Sequence, residues 1–91
     1  MGKHRTYVLR YSGTNRELGK EIVRMAYDET NNVFKGALEE LKKEYKNDSK
    51  SRKKKLSKNL NEAIQNLEKV IESIDEAWKI CKPRTTKIYR K

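Results

Sequence analysis

The residues of this sequence best suited to chemistry are cations. Arg52-Lys53-Lys54-Lys55 is an unbroken basic run, with Lys50 just before it and Lys58 just after. Such a cluster holds phosphate by charge and by charge-assisted hydrogen bonds. A second basic set is divided between the two ends of the chain: Arg5 and Arg10 early, Arg84, Lys87 and Arg90 late. Tyr7, Tyr11 and Tyr89 are interleaved with it. Aromatic rings among cations are the pattern of a surface that stacks unpaired bases. The alternation of Tyr7, Leu9 and Tyr11 better suits one face of a strand packed on helices.

Covalent and metal chemistry have little to work with. His4 is the only histidine and Cys81 the only cysteine, and one of each cannot assemble a metal-ligand set. Cys81 falls on an apolar seam, where a thiol packs as a small hydrophobe. There is no glycine-rich phosphate loop and no Gly-Lys-Ser or Gly-Lys-Thr. The carboxylates lie beside lysines on helix surfaces and read as solvated ion pairs. No catalytic residue, metal or cofactor is expected, and the expected class is a binding protein rather than an enzyme.

Composition points the same way. The 91 residues suffice for one domain, residues 1–91. Lys and Arg number 23 against 13 Asp and Glu, a net charge of +10, which is the electrostatic footprint of a nucleic-acid partner. A single cysteine rules out an internal disulfide. No stretch approaches the roughly 20 apolar residues of a membrane span, and the opening residues lack the apolar core of a signal peptide. The cytoplasm is the expected location, with no membrane partner.

The elements that must position these cations are helical. Residues 5–11, rich in β-branched and aromatic types, predict a short strand. Ser12-Gly13 predicts a turn, and Thr14 stands three residues before Glu17, the capping-box spacing. Leu18, Ile22, Met25, Ala26, Val33, Phe34, Ala37, Leu38, Leu41 and Tyr45 then recur at helical steps, predicting one helix over about 15–47. Asp28-Glu29-Thr30-Asn31-Asn32 has poor helix propensity, so a break over 28–32 is the alternative. A polar linker follows at 48–52. A second helix is predicted over 53–81, with Leu60, Ile64, Leu67, Ile71, Ile74, Trp78 and Cys81 in regular heptad steps. Pro83 stops it, and residues 85–90 predict a second strand.

The expected fold is mainly α, with a small α+β character: a long antiparallel two-helix hairpin flanked by N- and C-terminal strands placed to pair, in the order β-α-α-β. The Leu60–Cys81 seam also offers a surface for a homodimer. By segment, net charge runs +4 over residues 1–24, −3 over 25–41, +7 over 42–58, −3 over 59–81 and +5 over 82–91. A hairpin turns this into an acidic waist between two basic ends. The function this implies is non-catalytic binding of DNA or RNA through phosphates, without base-specific readout, because no recognition motif is present. The alternative is a protein that inhibits a nucleic-acid enzyme or ribonucleoprotein, of the anti-CRISPR kind that phages and mobile elements carry. A structural hairpin that pairs with a partner helix is a third reading.

Overall fold

A computed structural model of the chain describes residues 3–49 and 54–90, with side chains described except at 48 and 49. It contains three helices, α1 (Asn15–Arg24), α2 (Tyr27–Ser49) and α3 (Lys54–Cys81), closed by a short 3-10 turn at Lys82–Arg84. The capping box forms as the spacing predicts. Thr14 is extended, its hydroxyl accepts from the Glu17 amide at 3.1 Å, and its own amide donates back to Glu17 Oε1 at 3.2 Å. Two donors that a helix start leaves unpaired are thereby satisfied.

The long first helix is not continuous, and its break lies before the 28–32 segment rather than within it. Met25 has ψ 164°, an extended conformation that ends α1. The chain restarts at once, the Ala26 carbonyl accepting from Glu29 and Thr30 amides at 2.9 and 3.0 Å. Asp28-Glu29-Thr30-Asn31 proves to be a start signal. Asp28 and Glu29 stand in the first turn of α2, where carboxylates suit the helix dipole. The Thr30 hydroxyl donates to the Ile22 carbonyl at 2.5 Å, capping one of the acceptors α1 leaves open.

The second half of the hairpin follows its heptad steps. Ile64 and Ile71 are the buried apolar residues among those described, and Leu60, Leu67, Ile74, Trp78 and Cys81 are half-buried along the same stripe. That stripe faces α2, the principal partner of α3. The most deeply buried side chains are polar: Thr30 and Asn31, each 1% exposed. Asn31 Nδ2 crosses to α3 and donates to the Ile71 carbonyl at 2.9 Å and to Asp75 Oδ1 at 2.7 Å. Two acceptors on α3 fix which way the amide points, and its Oδ1 is left buried without a partner. A polar pair of this kind ties one residue of α2 to one turn of α3 and so sets the register of the hairpin.

The flanking strands do not form; no strand occurs among the described residues. Residues 5–11 fold back on the start of α1, with Asn15 Nδ2 donating to the Thr6 carbonyl at 3.0 Å and Arg10 in the left-handed region at φ 67°. Residues 85–90 turn instead toward the junction of α1 and α2. Thr85 Oγ1 donates to the Cys81 carbonyl at 2.8 Å, and Lys87 Nζ donates to Asp28 Oδ2 at 2.5 Å. A two-stranded ribbon is marginal by itself, and here each segment finds partners on a helix.

The result is slender, 49 × 30 × 19 Å, with a radius of gyration of 15.9 Å against about 12 Å for a compact chain of this length. Its accessible surface is 8468 Å², roughly half again the value of about 5,500 Å² expected of a compact monomer of its mass. The backbone of α1 comes into contact range of α2 but not of α3, and none of its residues is buried.

Candidate nucleic-acid interface

The basic residues sort into two populations. Along the helices some lysines are matched to acids, while Lys35 and Lys69 stand exposed with no acid within ion-pairing distance among the described residues. Lys42 reaches Glu68 across the hairpin at 3.7 Å, Lys43 reaches Glu40 at 3.2 Å, and Lys79 reaches Glu76 at 3.0 Å. Each pair is largely exposed, so its contribution to stability is small. The Glu76 hydrogen bond holds the Lys79 ammonium above its ordinary pKa.

Toward the ends the cations are unmatched. Lys54, Lys55 and Lys58 are exposed on the first turns of α3, a helix whose first turn holds no acid. Among the described residues no carboxylate lies within ion-pairing distance of them. The remaining members of the loop cluster, Lys50, Arg52 and Lys53, lie outside the described residues. At the opposite end Arg84 is exposed on the 3-10 turn and Arg90 on the tail, both without an acid partner among the described residues. Arg5 and Arg10 are exposed on the N-terminal segment. The 28 residues of α3 separate the two basic ends by roughly 40 Å at 1.5 Å per residue.

Lys87 belongs to the paired population. Its ammonium binds Asp28, stands 3.8 Å from Glu29 Oε1, and sits 5.3 Å from the centroid of the Trp78 ring. The hydrogen bond between them pushes Lys87 above the usual lysine range and Asp28 below the usual carboxylate range. This residue serves the tail's attachment, so it is not free for phosphate.

The three tyrosines part company as well. Tyr7 and Tyr89 are exposed. Tyr11 is half-buried against Gly13, where an added Cβ would lie 2.5 Å from the tyrosine oxygen and 2.7 Å from its ring. Partial burial, then the nearby Glu17 and Glu21 charges, raise the Tyr11 pKa. Without a strand, the shared face expected for Tyr7 and Tyr11 does not exist. Tyr89 does join an aromatic group: with Tyr27 and Trp78 it lines a groove of about 770 Å³ between the α1–α2 junction and the tail. Sequence reasoning missed this groove, along with Arg24, Met25 and Tyr27 that line it, because it exists only where the helix breaks.

Among the described residues no group of three or more His, Cys, Asp and Glu side chains is placed to hold a metal ion, and no helix is long and apolar enough to cross a membrane. No family model, curated protein or solved structure matches this chain.

Proposed function

We propose that this chain is a non-catalytic nucleic-acid-binding protein that grips phosphates, with its loop end as the principal contact. The reading is supported by the clustering of cations at the loop end: Lys54, Lys55 and Lys58 lie together, exposed, on the first turns of α3 with no acid partner among the described residues, whereas Lys42, Lys43 and Lys79 are each paired with a glutamate. Cations on the first turn of a helix oppose its dipole, at a cost of up to about 1 kcal/mol each. A bound phosphate reverses that sign, since backbone amides and ammonium groups then converge on one anion. Arg84 and Arg90 add contacts at the far end, about one turn of duplex away, and Arg5 and Arg10 add them from the N-terminal segment. Binding of this kind is largely indifferent to base sequence.

The test is a titration of the full chain against labelled duplex DNA, single-stranded DNA and RNA over a salt series. The logarithm of affinity is expected to fall linearly with the logarithm of salt concentration. Absence of binding near physiological salt would refute the proposal.

A further inference from the structure

The groove at the tail end has a chemistry that phosphate contacts do not use. Val23, Met25, Ile88 and Tyr89 line it together with Tyr27 and Trp78. Val23 is 55% exposed, Met25 39% and Ile88 97%. Aliphatic side chains gain nothing from phosphate, while covering them gains about 25 cal/mol per Å². They are part of the surplus surface of a chain too slender to bury it.

The rim limits what can cover them. Arg24 and Arg90 line the groove, Lys82 and Arg84 stand beside it on the 3-10 turn, and none has an acid partner among the described residues. Glu29, the acid in the lining, faces Lys87. A second copy of the chain docking groove to groove would set these cations against themselves, a like-charge arrangement that interfaces avoid. Nucleobases find the Lys87 ammonium already over one face of Trp78, and the exposed Val23, Met25 and Ile88 side chains give a base nothing to stack on. A cationic rim around an apolar groove complements an acidic, amphipathic protein segment.

We propose that the Val23–Met25–Ile88 groove docks such a segment: its apolar anchors enter between the α1–α2 junction and the tail, and its carboxylates meet Arg24 and Arg90. This interface is separate from the phosphate contacts of the loop end.

Trp78 is the only tryptophan and lines the groove, so its emission reports occupancy. Selection of a displayed random-peptide library against the full chain is expected to enrich sequences with Leu, Ile, Phe or Trp at helical spacing and a surplus of Asp and Glu. A synthetic peptide from that pool should change Trp78 emission saturably. Met25→Asp and Ile88→Asp should each weaken it by about tenfold or more, and so should joint Arg24→Glu and Arg90→Glu substitution. Ile88 is nearly fully exposed, so its substitution leaves the fold intact, as far-ultraviolet circular dichroism would show. Failure to enrich any peptide, enrichment of neutral or basic peptides, or affinity indifferent to Met25 and Ile88 would overturn the proposal. So would oligo-dT that saturates the Trp78 signal and displaces the peptide, since the groove would then belong to bases.

Discussion

At the loop end Lys54, Lys55 and Lys58 stand in solvent with Leu56 as their exposed apolar neighbour; at the tail end Arg24, Arg84 and Arg90 stand among exposed Val23, Met25, Ile80, Ile88 and Tyr89. Both ends are basic, yet they are different surfaces. Charge without apolar area attracts any polyanion and loses its hold in salt. Charge around apolar area favours a partner that brings both, and the apolar part of that contact persists in salt. The difference arises from packing. The loop end is the close of a regular hairpin, whereas the tail end is where α1 departs, α2 begins and the tail returns, and two helices do not suffice to cover that junction.

The two ends are most directly separated by substitution at the loop end. Joint Lys54→Ala, Lys55→Ala and Lys58→Ala substitution should weaken nucleic-acid binding by about 100-fold at low salt and reduce the salt slope by about two to three. It should leave peptide binding at the groove unchanged. Equal loss of both would show that the two ends form one site.

Asn31→Ala attacks the frame that both ends share. Removing the two hydrogen bonds from the buried amide should cost about 2 kcal/mol, read as a lower urea midpoint at unchanged slope. A shift under about 0.5 kcal/mol would place the register elsewhere, since surface substitutions have effects of that size.

Thr14→Ala is smaller and local. Loss of the capping box should cost about 1 kcal/mol of α1 helix stability, visible as faster amide exchange over Leu18–Ile22 with α2 and α3 unaffected. Because α1 contributes Val23 and Arg24 to the groove, peptide affinity should fall modestly while nucleic-acid binding holds.

The gentlest probe is pH. Asp28 is held below the usual carboxylate range by Lys87, so its share of the tail's attachment is present above that range and is lost as pH falls through its lowered value. Lys87 is held above the usual lysine range, so its share is present below that range and is lost as pH rises through its raised value. Trp78 emission should therefore be flat between acid and alkaline limbs. Asp28→Asn should abolish the acid limb, leaving phosphate binding at the loop end untouched. An acid limb that survives in Asp28→Asn would mean another group anchors the tail.

Much of this was legible in residue order, because it depends on near neighbours. The Thr14–Glu17 spacing located the start of α1, the heptad steps from Leu60 to Cys81 defined the inner face of α3, and Pro83 ended it within a turn. The segmental charges placed basic ends around an acidic waist once a hairpin was granted. The strands at 5–11 and 85–90 failed because β-propensity needs a pairing partner, and each segment found a helix first. The break at Met25 was illegible because no breaker marks it. Asp28 and Glu29 are read as weak helix interior or strong helix start according to what lies before them, and Thr30 becomes a start residue only with the Ile22 carbonyl to receive its hydroxyl.

Sequence by itself determined the start of α1, the course of α3 with its inner face, and the segregation of charge along the chain, all of which follow from spacings of a few residues. Tertiary structure alone decided which cations are free. Lys42 is neutralised by Glu68 on the facing helix, and Lys87 by Asp28, 59 residues away; Lys54, Lys55 and Lys58 meet no acid among the described residues. It also decided that Asn31 is buried and that Val23, Met25 and Ile88 share one groove. These are contacts between distant segments. They depend on where the chain turns, which no local periodicity encodes.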